Sequence, residues 1–493
     1  MREQDKRYCI LVVDFGTSNV HINMVDVQTG EILFATSRKY DIVSEQDGYA
    51  EIDPETLWKA SMEGVGCVIQ GMDMDIVLSG ISFSYFGDNL LLMDESMKPL
   101  SNLVLGFDVR GAEEVAEIEH GLKDRTFAQI VGCKCETMCT GAKILWFRKN
   151  EPELFKKCTH FFTNQQYILW KLGLRPVNDI TMASRKCMVD LSTRTWSEEI
   201  MQVVGISADQ LGEIVNTGEI IGTIEQYGDV ILPAPVPVVV GGHDCDCGMI
   251  GVGVFDENQP VVADIAGTFD HIGYEAKGII NLGASEDSEN VCSYSGPIPD
   301  SCSCFGAFPT SGALMEWFMR EIAGGTTPEY FRNLWEQTKL DGSVSLQCIP
   351  FVGTKNGCFK QICLTHTRAS MFEALVEALT FEARRVLEEI TKEKPGGVHS
   401  VRIGGGLAHE SRWLQLRANV FGCCVERMEN IEISSLGAAV IAAVSLNMYP
   451  SIVAATKKMI RTETVFEPDP KLTPIYQAKY QRYLKETAEL KGA

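Results

Sequence analysis

Two aspartates and three glycine-bearing turns are the residues of this chain best suited to do chemistry. Asp14 closes the apolar run Tyr8-Cys9-Ile10-Leu11-Val12-Val13 and leads into Phe15-Gly16-Thr17-Ser18. Asp244 follows Val238-Val239-Val240-Gly241-Gly242-His243. A carboxylate at a strand end suits a Mg2+ ligand, because Mg2+ takes oxygen donors and keeps part of its water shell. A carboxylate where a strand gives way to a helix lies beside free backbone N–H groups and can accept the proton of a substrate hydroxyl. At an ordinary pKa of ~3.9 it would orient the hydroxyl and take its proton late. The structural alternatives are a turn-forming Asp at 14 and a helix cap at 244.

The turns are Gly16-Thr17-Ser18, Gly267-Thr268 and Gly404-Gly405-Gly406, each after an apolar run. Glycine lets backbone N–H groups approach a phosphate closely, and hydroxyls add donors. Any one of them reads equally well as a hairpin. Three at comparable places point to a nucleotide held between two domains. None matches a Walker A loop or a dinucleotide G-x-G-x-x-G, which argues against those classes.

The elements that must position these residues are legible in outline. Residues 8–14 form a β-type run, with alternation through Val20, Ile22 and Met24 and a turn at Gln28-Thr29-Gly30-Glu31 into a further strand. Asp53-Pro54 is a helix start. At the midpoint, Val261-Val262-Ala263-Asp264-Ile265-Ala266-Gly267-Thr268 repeats the logic of Val12-Val13-Asp14-Phe15-Gly16-Thr17, which suggests two related domains. The prolines of Leu232-Pro233-Ala234-Pro235-Val236-Pro237 exclude a helix and set up an extended entry to a buried strand. Gly241-Gly242 ends that strand, and Asp244 is placed to cap a helix running through Gly253.

Helical spacing from Ala369 to Lys392 puts Phe372, Leu375, Val376, Leu379, Ala383, Val386, Leu387 and Ile390 on one face, with Glu382, Arg385 and Glu389 on the other. A strand at 399–403, a helix from Glu410 to Phe421 and a buried Ala-rich helix at Ser434–Leu446 follow. Alternating strands and helices indicate an α/β protein. No low-complexity linker intervenes, so the domains should pack along a cleft.

At 493 residues the chain exceeds one hydrophobic core, and two or three domains are expected. A hydrophobic share of 45% and a charged share of 22% exclude a disordered or fibrous chain. The net charge of −22 argues against a nucleic-acid partner. No window approaches a membrane span or a signal-peptide core, and 17 cysteines is an odd count that cannot fully pair. A reduced, cytoplasmic protein is the expectation. Of the Cys-x-Cys pairs Cys133/Cys135, Cys245/Cys247 and Cys302/Cys304, none is followed by a second ligand pair, so packed thiols are expected before metal sites.

Longer motifs then match a known family. Asp14-Phe15-Gly16-Thr17-Ser18 resembles the first phosphate loop, and Met138-Cys139-Thr140-Gly141-Ala142-Lys143-Ile144-Leu145-Trp146-Phe147-Arg148-Lys149-Asn150 the first signature, of the FGGY carbohydrate kinases in the actin/hexokinase-like superfamily. Asn178-Asp179-Ile180-Thr181-Met182-Ala183-Ser184 resembles their T-D-x-S-x-A-S stretch. Leu364 to Glu382, with Glu377 at its acidic position, resembles the second signature, and Gly404-Gly405-Gly406 through Trp413, Gln415 and Gly422 the adenosine loop.

The resemblance implies two actin-like (ribonuclease H-like) domains, 1–250 and 251–493, with mixed β-sheets flanked by helices and an interdomain cleft. It implies ATP-dependent phosphorylation of a terminal hydroxyl on a small ketose, deoxyketose or polyol. Asp244 would be the base, and Asp14 with Asp244 would face Mg2+. Gly16, Thr17, Ser18, Gly267, Thr268, Gly405, Gly406 and Leu407 would contact ATP, and Ser84, Tyr85, Asp108, Arg110, Met138 and Asp244 the sugar.

Departures narrow the substrate. The common W-x-D-x-R appears as Gly106-Phe107-Asp108-Val109-Arg110, the xylulokinase Gln-Met-His-Gly and the glycerol kinase Gln-Arg-Glu are absent, and Gly353-Thr354-Lys355-Asn356-Gly357-Cys358 replaces a G-E-R-x-P loop. Gly-His-Asp and Ala-Gly-Thr look nearer to fuculokinase- and rhamnulokinase-like members. A homodimer is the expected assembly. The rival expectations are a non-catalytic sugar- or nucleotide-sensing relative and an actin-like ATPase acting on protein partners.

Overall fold

The apolar runs assemble into two sheets of seven strands, one in each half of the chain. The computed structural model describes residues 6–255, 260–266, 270–285, 291–308, 311–350, 357–392, 394 and 396–491. In the first sheet β1 (Arg7–Phe15), β2 (Asn19–Asp26) and β3 (Ile32–Lys39) form an antiparallel meander. On the other side of β1, β4 (Ile76–Tyr85) and β5 (Val230–Val239) join in parallel, giving the order β5-β4-β1-β2-β3.

The second sheet uses β6 (Val261–Ala266), β7 (Asp270–Lys277), β8 (Ser301–Phe308), β9 (Ser400–Gly404) and β10 (Cys424–Met428) in the order β10-β9-β6-β7-β8. Here too the first strand pairs antiparallel with the second and parallel with the fourth. One order and one set of strand directions therefore occur twice. That is the duplication visible in the sequence, and it meets the expectation of paired α/β domains of the actin-like kind.

The helices start and stop largely as their caps dictate. Asp53 accepts from the Glu55 N–H at 2.9 Å and opens α1 (Pro54–Gln70). α2 (Thr140–Asn150) and α3 (Ile180–Arg185) follow, α3 capped by the buried Asp179. α4 (Asp244–Gly251) departs from the sequence expectation: His243 is the N-cap residue and Asp244 the first helical residue, so Asp244 does not cap its own helix. It also ends two residues earlier than expected. α5 (Arg368–Thr391) buries its whole apolar stripe, but Glu382, expected on the solvent face, is buried as well and accepts from Arg385 and from Tyr483. α6 (Ser411–Phe421) and the Ala-rich α7 (Ile433–Ser445) complete the set.

α4 and α7 cross at the junction of the two halves, and glycine makes the crossing possible. A Cβ on Gly437 would stand 1.8 Å from the Cys247 carbonyl oxygen, and one on Gly251 1.9 Å from that of Ile433. Neither position accepts a side chain without separating the helices.

Candidate active site

The N-terminal end of α7 gathers both aspartates. Ser435 donates to the Asp14 carboxylate at 3.2 Å and accepts from Asn23 at 2.8 Å, while Ser434 donates to the Asp244 main-chain carbonyl at 3.0 Å. Residues of the second half thus hold the Asp14 carboxylate and the Asp244 backbone, both contributed by the first. Asp14 is buried at the end of β1, whereas the Asp244 side chain keeps 32% of its surface exposed. Burial pushes the Asp14 carboxyl up to about 6; Ser84 and His21 oppose the rise, and Asp244 and Glu432 add to it. Two carboxylates at one junction, one buried and one half-exposed, are an oxygen donor set that a hard divalent cation fits.

Asp244 is fixed through its neighbours. The His243 ring lies between two carboxylates, with Nε2 3.1 Å from Asp244 Oδ1 and Nδ1 2.9 Å from Asp246 Oδ2. Burial pulls the His243 pKa down, but Asp244 and Asp246 outweigh it and hold the ring above its ordinary value. Ser303 on β8 donates to Asp246 and sits 2.9 Å from Glu275 on β7, which extends the network into the second sheet. The His243 N–H donates to Thr181 at 2.9 Å, and Thr181 donates to Asp179 at 2.7 Å. This gives the Asn178–Ser184 motif a job: it seats the Gly242–His243 strand end beside β4.

Next to His243 stands an ion pair that sequence reasoning missed. Arg185 pairs with Asp88, and its guanidinium lies 4.5 Å from the Tyr294 ring centre. A Cβ on Gly87 would touch the His243 ring at 2.8 Å and Arg185 at 2.9 Å, so these groups form one continuous wall. A Cβ on Gly106 would lie 2.7 Å from Asp88 Cβ, which explains why glycine occupies a position that is Trp in many members of the resembled family. In the structure Asp88 adopts φ +55°, a conformation uncommon for a residue with a Cβ.

The residues expected to touch sugar divide. Met138 lines an open cavity of about 480 Å3 with Gly106, Phe107 and Val109. Asp108 lines it too but has no acceptor to spare. Its carboxylate takes the Ala50 N–H at 2.8 Å, the Arg110 N–H at 2.9 Å, and Arg110 Nε and Nη2 at 2.8 and 2.7 Å. Arg110 in turn pairs with Glu51 and lies 4.3 Å from the Tyr49 ring centre. Asp108 and Arg110, both expected to contact the sugar, therefore clasp the 106–110 loop in this structure. Ser84 and Tyr85 are fully buried in β4, Tyr85 stacked between Phe15 and Phe83 at 5.5 Å from each. Lys143 of the first signature donates to the carbonyls of Gly106 and Thr137 at 3.1 and 2.5 Å, pinning the two loops of the cavity to α2.

At the other side, β6 and β9 run parallel with Ile265 opposite Gly404, so both strands finish at the same end of the sheet. Gly405 adopts φ +91° with its α-carbon pressed against Ala266, and the space around Gly406 is open. Leu407 is half-buried beyond it. Gly267 and Thr268 lie outside the described residues, as do Gly353 to Asn356. The Gly16-Thr17-Ser18 turn joins β1 to β2 and is held by the buried Tyr40, whose hydroxyl donates to the Gly16 and Asn19 carbonyls. Glu377, at the acidic position of the second signature, is buried against Lys479 at 2.5 Å.

Comparison with known proteins decides the family. Residues 9–251 match the N-terminal domain, and residues 355–446 the C-terminal domain, of the FGGY family of carbohydrate kinases. The chain belongs to that family. It is 25% identical to a xylulose kinase of Bacillus subtilis (strain 168) over 96% of this chain and 95% of the relative. It is also 25% identical to the L-fuculokinase of Escherichia coli (strain K12) over 88% and 92%. Its fold matches the crystal structure of a gluconate kinase from Lactobacillus acidophilus with a TM-score of 0.87 at 21% identity, covering 98% of each chain. A ligand-bound xylulose kinase from the same organism gives 0.88 at 21% identity over 99% of each. This FGGY chain is thus a carbohydrate kinase, an enzyme that phosphorylates a sugar with ATP as donor. Equal identity to a xylulose kinase and an L-fuculokinase selects no subgroup. No helix among the described residues is long and apolar enough to cross a membrane.

Proposed function

We propose that this kinase transfers the γ-phosphoryl group of ATP to a terminal hydroxyl of a small ketose, deoxyketose or polyol, with Asp244 accepting the hydroxyl proton. The convergence of Asp14 and Asp244 on the first turn of α7 carries this reading. Residues 1–250 supply the sugar wall and the first phosphate turn, and residues 251–493 the nucleotide face. His243, held by Asp246, positions the Asp244 carboxylate. Asp88 and Arg185, rather than Asp108, are the polar groups of the sugar wall, with Met138 and Phe107 beside them.

Gly16, Thr17 and Ser18, with Gly267 and Thr268, are assigned to the phosphates, and Gly405, Gly406 and Leu407 to the adenosine. Asp14 and Asp244 would hold Mg2+, which when bound neutralises charge on the phosphoryl oxygens. Closing the two domains excludes water, so that the sugar hydroxyl is the acceptor. All seventeen cysteines are free thiols, which supports a reducing, cytoplasmic setting. A homodimer is the proposed assembly.

A coupled assay for ADP, run over ketopentoses, 6-deoxyketoses, ketohexoses and C3–C5 polyols, tests the proposal. One class should raise ADP release well above the sugar-free rate. Equal ADP release with and without every sugar would instead favour an ATPase acting on protein partners. Sugar binding without any phosphorylation would favour a sensor.

A further inference from the structure

Away from the two aspartates, three thiols meet inside the first domain. Cys133, Cys139 and Cys187 are all buried, and their sulfurs lie within 4.8 Å of one another, Cys133 and Cys187 at 3.9 Å. Cys187 is 48 positions beyond Cys139, so no local spacing announces the cluster. Cys135, the other half of the Cys-x-Cys pair, is not part of it.

The geometry is that of a ligand set. At the ~2.3 Å Zn–S length, two thiolates on a tetrahedral ion stand about 3.8 Å apart. Cys133 and Cys187 have that separation already, and Cys139 needs a shift of only about 1 Å to reach it. The Glu136 N–H points at Cys139 Sγ at 3.4 Å, the kind of outer contact that stabilises a metal-bound thiolate. Cys187 adopts φ +55°, a left-handed conformation uncommon for a residue with a Cβ, held just beyond the end of α3. No hard oxygen ligand belongs to the cluster, so its preference is for soft ions.

We propose that Cys133, Cys139 and Cys187 form a trithiolate site for one thiophilic d10 ion, Zn2+ or Cu+. Each thiol that ligates releases its proton to solvent. Cys139 is the N-cap residue of α2, and Cys187 lies two residues beyond Arg185, so a bound ion would staple the Met138 loop to the wall that carries Arg185.

The test uses full-length protein kept reduced with a phosphine under nitrogen, titrated with Zn2+ against a chromophoric chelator and separately with Cu+ against bicinchoninate. One of the two ions should be retained at one equivalent per chain. Cys133→Ser, Cys139→Ser and Cys187→Ser should each weaken that binding at least tenfold, and Cys67→Ser, at an exposed thiol, should leave it unchanged. Should a serine variant fail to fold, Cd2+ added to the parent protein provides the second reading: charge-transfer absorbance of three thiolates supports the site. Retention of neither ion, retention indifferent to all three serines, or Cd2+ absorbance of fewer than three thiolates would overturn it.

Discussion

Asp14 is ionised or neutral according to how far burial lifts its pKa, and only the ionised form can face a cation. Held up to about 6, it is largely protonated a unit below that pH and largely ionised a unit above it. The kcat/KM for Mg2+-bound ATP should therefore rise with pH through an acid limb near 6, where an unperturbed Asp would place it near ~4. A pH–rate profile settles this, and a limb at the ordinary value would show that burial does not govern the group. Asp14 and Asp244 were legible in the sequence because strand ends and glycine turns mark where backbone N–H groups go unpaired. The saturation of Asp108 was not, because its four hydrogen bonds depend on Ala50 and on an Arg110 that is itself anchored to Glu51 and Tyr49. Nor did Gly-His-Asp reveal that its histidine bridges two carboxylates.

At the scale of elements, the chain duplicates a topology without duplicating a site. Asp264 stands in β6 much as Asp14 stands in β1, yet it is buried with Asp270 around Arg417 of α6, whose guanidinium lies 4.1 Å from the Trp413 ring centre. Arg417→Met would leave two buried carboxylates facing each other. Breaking such a pair from one side costs about 3–5 kcal/mol, and a urea unfolding midpoint should fall accordingly. A loss under ~1 kcal/mol would show the triad to be dispensable. The α4–α7 crossing gives a second case. Gly437→Ala sets a methyl 1.8 Å from the Cys247 carbonyl, so the helices must part and Asp244 must move with them. Stability should drop by about 1–3 kcal/mol or more, with kcat falling alongside it. Wild-type kcat and stability together would contradict the crossing. The helices themselves were readable from caps and apolar spacing. Their crossing was not, since a glycine in an Ala-rich run looks the same whether or not another backbone touches it.

Over the whole molecule, two repeated sheets put one set of groups on each side of a junction. The net charge of −22 does not bar an anionic nucleotide, because the groups assigned to it are backbone N–H donors in glycine turns, which formal charge does not count. The −22 still weighs against nucleic acid. The Asp246–Ser303–Glu275 network joins the Asp244 helix to the second sheet, so protein contacts set the proposed base and the proposed nucleotide face relative to each other. Phosphoryl transfer at this junction requires a sugar hydroxyl and its proton acceptor together. The most direct test compares wild type with Asp244→Asn, a near-isosteric change, by counting ADP and sugar phosphate formed on the best sugar of the panel. Wild type should make the two in equal amounts, and the variant should fold normally, bind the sugar and turn over about 10²–10⁴-fold more slowly. Undiminished sugar phosphorylation by Asp244→Asn would contradict the assignment.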